Sequence, residues 1–142
     1  MKQLGVDEAT LVSFWKTEGR VHLEMAAPLW HSSLTEAQSR ALSRVQRVAM
    51  AAITGRWDPS HSGQLRRLGL EPLPERRTRL CRRFAKRTAT KSRHQDLFDR
   101  AEYTRPGRGA RARPLYRESR TRTAAYRRSA VPYLTTLLNG TQ

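Results

Sequence analysis

The stretch from Leu23 to Met50, LEMAAPLWHSSLTEAQSRALSRVQRVAM, decides how the chain folds. Thr35 followed by Gln38 reads as a capping box, in which the threonine hydroxyl satisfies a backbone N–H of the first turn and the glutamine reaches back. Gly55 supplies the stop, so the pattern predicts a helix from about Glu36 to Thr54. Ala41, Leu42, Val45, Val48, Ala49, Ala52 and Ile53 form its apolar stripe, with Leu42 and Val45 as anchors. Arg40, Arg44 and Arg47 line the opposite side, where they meet solvent or phosphate.

Upstream, Asp7 can cap a helix running through Leu11, Val12, Phe14 and Trp15, and a second apolar set (Val21, Met25, Ala26, Leu29, Trp30) continues near helical spacing. Gly19 and Pro28 interrupt it, and the Pro28 ring should bend or end the element nearby. Trp30 and His31 read as core anchors, because a Trp near a helix end buries its ring and a histidine there most often serves as a hydrogen-bonding partner.

Downstream, Asp58-Pro59 can open a shorter helix that Gly69 closes after Leu65 and Leu68, with Gly63 weakening it by roughly 1 kcal/mol relative to alanine. Leu70 and Leu73, flanked by Pro72 and Pro74, suit a buried connector. A helix from about Glu75 to Thr88 follows. Leu80, Cys81, Phe84 and Ala85 are expected on its packed stripe, with Leu80 and Phe84 as anchors and Cys81 kept inert by burial. Arg76, Arg79, Arg82, Arg83, Lys86 and Arg87 carry its charge, relieved only by Glu75 at the amino end, where the helix dipole favours an acid.

From Lys91 to Tyr126 the apolar period fades into Arg, Pro, Gly, Ser and Thr, which predicts a long mobile loop. Arg100, Arg105, Arg108, Arg111, Arg113, Arg117, Arg120, Arg122, Arg127 and Arg128 lie in or just beyond it, interleaved with Tyr103, Tyr116 and Tyr126, a mixture suited to phosphate contact and base stacking. Val131 to Asn139 recovers apolar character, with Pro132 as the expected helix start and Leu134, Leu137 and Leu138 on one side. The expected architecture is all-α: a small bundle of three to five helices over residues 1–90, a basic flexible segment over 91–130, and a short terminal helix over 131–142 that docks on the bundle.

Composition sets the partner class. Of 142 residues, 37% are hydrophobic and the formal charge is +16. Residues 1–60 hold 7 Lys/Arg against 6 Asp/Glu, whereas residues 61–142 hold 21 against 6, so nearly all the excess sits in one half. Such a field rewards a polyanion, RNA or DNA backbone before any other. A membrane is not expected as a partner: the Arg-rich segment offers little apolar surface, and no run approaches the roughly 20 residues needed to span a bilayer. Asp7, Glu8 and Glu18 in the first twenty residues indicate neither a signal nor a transit peptide. One cysteine excludes an internal disulfide and fits a reducing, intracellular setting, nucleus or cytoplasm. With four scattered histidines it forms no zinc spacing, and no cofactor or small-molecule substrate is implied.

The order Leu23-Glu24-Met25-Ala26, Pro28, Trp30-His31, Ser33-Leu34-Thr35, then Val45-Gln46-Arg47, resembles the region just beyond the polymerase core in reverse transcriptases of non-LTR retrotransposons, of the endonuclease-reverse transcriptase type. Two later blocks resemble the rest of the same tail: Leu68 to Leu73 with Glu75-Arg76-Arg77, and Pro132 to Asn139. Thr17, Glu18 and Gly19 depart from the pattern, which prefers aromatic or branched residues there. The resemblance implies an RNA-directed DNA polymerase as parent and an adjunct role for this region near the polymerase thumb, in contact with the upstream polymerase domain.

Such a polymerase needs adjacent carboxylates to hold two metal ions. Asp7, Asp58, Asp96 and Asp99 are dispersed, so the chain is expected to be no enzyme. The expected nucleic-acid contacts are Arg76, Arg79, Arg82, Arg83, Lys86 and Arg87 on one helix and Arg40, Arg44 and Arg47 on the other. Two other classes share this composition: a free-standing basic RNA-binding or ribosome-associated protein, and a retroelement remnant with no selected role.

Overall fold

A computed structural model of the chain describes residues 5–90, 96–101 and 114–140. Among them the fold is all-α, and the one extended pairing is an isolated antiparallel bridge between Arg100 and Tyr116.

Asp7 opens α1 (Glu8–Phe14) by accepting from the Thr10 N–H at 3.2 Å. The chain then widens into one π turn, Trp15–Gly19, and continues as α2 (Arg20–Glu24). Gly19 therefore does not break the helix. It lets the Trp15 ring cross the backbone, since a Cβ there would stand 2.7 Å from ring atom Cζ3. The reversal comes at Ala26, which adopts φ 53°. Pro28 falls inside the first turn of α3 (Ala27–Trp30), where its missing N–H costs nothing, and a 3-10 turn, His31–Ser33, follows.

The capping box forms as expected. Thr35 Oγ1 accepts from Gln38 N at 3.2 Å and Thr35 N donates to Gln38 Oε1 at 2.9 Å, opening α4 (Glu36–Thr54), which Gly55 ends at φ 73°. α5 (His61–Arg67) begins later than Asp58-Pro59 suggests: Ser60 is its cap, and Asp58 instead accepts from the Ser60 N–H at 2.8 Å. α6 (Leu73–Thr90) starts two residues early and runs to Thr90. α7 (Ala124–Arg127) is a single turn, and α8 (Ala130–Asn139) takes Pro132 at its third position.

The chain divides into two compact units, Met1–Ala27 with Leu34–Arg77 and Pro28–Ser33 with Thr78–Gln142. The division falls inside α6, between Arg77 and Thr78. In the first unit Val12, Trp15, Met50, Ile53, Leu65, Leu68 and Leu70 form the core. Leu70 and Leu73 are buried, as a connector should be. Gln46, 1% exposed, fixes that connector: its Nε2 donates to Glu71 O at 3.0 Å and its Oε1 accepts from Leu73 N at 3.2 Å.

The α4 stripe is rotated from the expected one. Gln46, Met50, Ile53 and Thr54 are buried, Leu42 is half-buried, and Val45 and Val48 are exposed at 47% and 52%. Val45 is therefore not an anchor. Two polar side chains claim the inner face because each has a buried partner, Gln46 in the connector and Thr54 in Gln64, whose Nε2 donates to Thr54 Oγ1 at 2.9 Å.

In the second unit Cys81, Ala85, Ala89, Phe98, Tyr116, Leu134 and Leu138 form the core. Small residues one helical turn apart make the α6 seam, so Leu80 is only half-buried and Phe84, 40% exposed, is not an anchor. Among the described residues of 91–130, Ala101 N donates to Leu115 O at 3.0 Å and Arg117 N to Asp99 O at 2.8 Å. Tyr116, expected among the stacking tyrosines, is buried edge-on to Phe98 with centroids 6.2 Å apart. Asn139 clamps its backbone with two 3.0 Å bonds, one to its N–H and one to its carbonyl.

Candidate nucleic-acid interface

α6 turns by about 100° per residue, which sets Arg79, Arg82, Arg83, Lys86 and Arg87 within an arc of roughly 140°. All five are exposed, and the buried Cys81, Ala85 and Thr88 occupy the other side. From Arg76 to Thr90 the sequence holds no acidic residue. The result is a convex cationic ridge whose side chains can meet successive phosphates and release counterions.

Arg76 and Arg77 leave that ridge. Arg76 Nε donates to Glu24 Oε1 at 2.5 Å, and Arg20 Nε forms an ion pair with the same oxygen at 3.0 Å. The three side chains are 20%, 11% and 16% exposed, so Arg76 ties the start of α6 to α2 and is not placed for a phosphate. Arg77 is wholly buried and donates to Ser39 Oγ at 3.1 Å.

The α4 arginines line a groove of about 620 Å³ together with Ser39, Ser43, Trp57 and His61. Arg47 does not point freely into it. Its guanidinium carbon lies 5.1 Å from the Trp57 ring centroid, and its Nη2 donates to Pro59 O at 3.1 Å. Arg40 pairs with Glu36 at 2.6 Å, but both side chains are more than 70% exposed, so the pair is worth little and opens readily to an anion. Arg44 is exposed on the groove wall. Burial pushes the His61 imidazole below its ordinary 6.5, and Arg47 adds to the shift.

Trp57 and His61 were not legible as site residues. Left-handed Gly55 turns the chain at the end of α4, and Trp57 and His61 come to lie beside Arg47. A Trp shortly after a helix-stop glycine, followed by Asp58-Pro59, is the signal that could have marked them.

Trp30 and His31 belong to the second unit. Both are half-buried, and His31 Nε2 stands 3.2 Å from Thr78 Oγ1. Arg100, Arg117, Arg120, Arg122, Arg127 and Arg128 are exposed, as is Tyr126. Tyr103, Arg105, Arg108, Arg111 and Arg113 lie outside the described residues.

Among the described residues no group of three or more His, Cys, Asp or Glu is placed to hold a metal ion, and no helix is long and apolar enough to cross a membrane. Compared with protein-family models, curated proteins and solved structures, the chain matches none.

Proposed function

We propose that this chain holds nucleic-acid backbone without catalysing a reaction, as the region that follows the polymerase core of a non-LTR retroelement reverse transcriptase. The observation that carries the binding half is the α6 ridge: five exposed cations on one arc, opposite a packed seam of small residues. A helix needs only a narrow apolar stripe to stay docked, so this composition leaves a wide face for charge.

The origin half is supported by what the resembling positions do. Gln46 of the Val-Gln-Arg block pins the backbone of the Leu68–Leu73 block within the first unit, and His31 of the Trp-His pair meets Tyr133 of the last block within the second. Glu24 of the opening block takes Arg76 of the middle one. Positions that carry the resemblance thus act as mutual structural partners. Exposed Phe14, Val21 and Met25 give an upstream polymerase domain apolar surface to cover.

The test is a fluorescence-anisotropy titration of the full chain with single-stranded RNA, duplex DNA and RNA–DNA hybrid across a salt series. If about six phosphates are engaged, affinity falls on the order of a thousandfold between about 50 and 200 mM salt. Replacing Arg79, Arg82, Arg83 and Arg87 by Gln flattens that slope. A helical chain that binds no better than a generic polycation, or a slope unchanged by the four replacements, defeats the reading.

A further inference from the structure

The α6 ridge is convex and carries no exposed Trp or Tyr; the groove between α4 and α5 differs in kind. It combines a cavity of about 620 Å³ with a flat ring and walls that carry three arginines against one acid, Glu36. Trp57 is 56% exposed, yet it is held: Arg47 lies against its ring and is itself bonded to Pro59 O. A large aromatic surface left half in water, with its orientation fixed beforehand, is poor economy for a core and well suited to receiving another flat ring, because no rotamer freedom is lost on binding. Arg40 and Arg44 stand on the α4 wall of the same groove, with Ser39 and Ser43 beside them. Ser39 Oγ also accepts from the buried Arg77 guanidinium at 3.1 Å.

We propose that this groove is a pocket for one unpaired nucleotide of a bound single strand, whose base lies against Trp57 and whose phosphate meets Arg40 and Arg44. It rests on the reading of the chain as a nucleic-acid holder and adds a preference that the α6 ridge does not supply, single strand over duplex. A base inside a duplex is stacked on both faces and has no face to offer. The cavity volume falls within the range that encloses small ligands of nucleotide size. An acidic peptide would satisfy the arginines but gain nothing from the ring.

The experiment compares two probes of equal charge on the full chain, a hexamer of single-stranded RNA and the same ribose-phosphate hexamer without bases, by ¹⁵N-resolved NMR and by affinity. The Trp57 indole N–H is assigned from its loss in Trp57→Phe. The expected result is a large shift of that resonance with RNA and little with the abasic strand. Trp57→Ala should cost about tenfold in RNA affinity and leave abasic binding unchanged, while Trp57→Phe recovers most of the loss. Equal affinity for the two probes, or RNA binding that leaves Trp57 unmoved while α6 amides shift, overturns the pocket and spares the ridge. Binding of neither probe removes the holding function and the pocket with it.

Discussion

The imidazole of His31 stands edge-on to the phenol ring of Tyr133, centroids 5.7 Å apart at 72°, although 101 residues separate them in the chain. The Thr78 hydroxyl lies 3.2 Å from His31 Nε2, and the same threonine hydrogen-bonds Tyr133, whose hydroxyl is nonetheless pushed above its ordinary 10.0 by burial. His31 is thus a fastener between the 3-10 turn, α6 and α8.

That placement makes His31 a stability residue. His31→Ala should cost about 2 kcal/mol, the sum of an aromatic edge contact and one part-buried hydrogen bond. Urea unfolding followed by circular dichroism reads it. RNA affinity of the folded fraction should not change; a loss of affinity without loss of stability would place His31 at the interface.

Glu24 is the second fastener. One carboxylate oxygen serves both Arg20 and Arg76, with all three side chains at least four-fifths buried. Removing the acid leaves two guanidinium groups facing each other, so Glu24→Ala should destabilise by about 3 kcal/mol or more, whereas Arg83→Ala on the exposed ridge should change stability by about 0.5 kcal/mol or less. Thermal denaturation of the two variants checks the contrast, and equal effects would contradict the separation of Arg76 from the ridge.

The path from α1 to α3 predicts two substitutions of opposite sign. Gly19→Ala drives a methyl group into the buried Trp15 ring and should destabilise by about 1–3 kcal/mol. Ala26→Gly relieves a left-handed alanine and should stabilise by up to about 1 kcal/mol, because the strain removed exceeds the backbone entropy that glycine adds to the unfolded chain. Melting temperatures measured side by side decide both.

The helices were legible because their ends carry local chemistry: Asp7, the Thr35/Gln38 box and Gly55 act within a few residues of themselves. Their inward faces were less so. Apolar size alone selects Val45, Leu80 and Phe84, but the fold turns inward Gln46, Arg77 and the small Cys81, Ala85 and Ala89. A carboxamide or guanidinium is buried only where a distant backbone or hydroxyl answers it, and that partner is invisible to periodicity. Asn139 and Tyr116 repeat the lesson, since a tyrosine in an Arg-rich stretch looks like a stacking platform until its backbone is clamped from α8. The α4 groove is hidden from the sequence pattern for the same reason. Arg40, Arg44 and Arg47 were visible as a charged face, but the ring that gives them a use arrives from beyond Gly55.

His61 gives that groove a titration signature. Burial, then Arg47, holds its folded value below 6.5, with Arg40, Arg44 and Glu36 on the remaining walls. The sign follows from which state takes the proton first. The unfolded chain protonates near 6.5 while the folded one still resists, so the stability contributed by neutral His61 is complete above about pH 6.5 and is lost as pH falls through the depressed folded value. Arg47→Gln should move the His61 midpoint upward, read from its Cε1 proton shift against pH. Bound RNA should move it upward as well, because a phosphate on Arg40 and Arg44 brings negative charge to the imidazole. Abasic strand, which carries the same charge without the stacking ring, should shift it less because it occupies the groove less. A His61 midpoint that ignores both Arg47→Gln and RNA would mean that the imidazole does not sense the groove it lines.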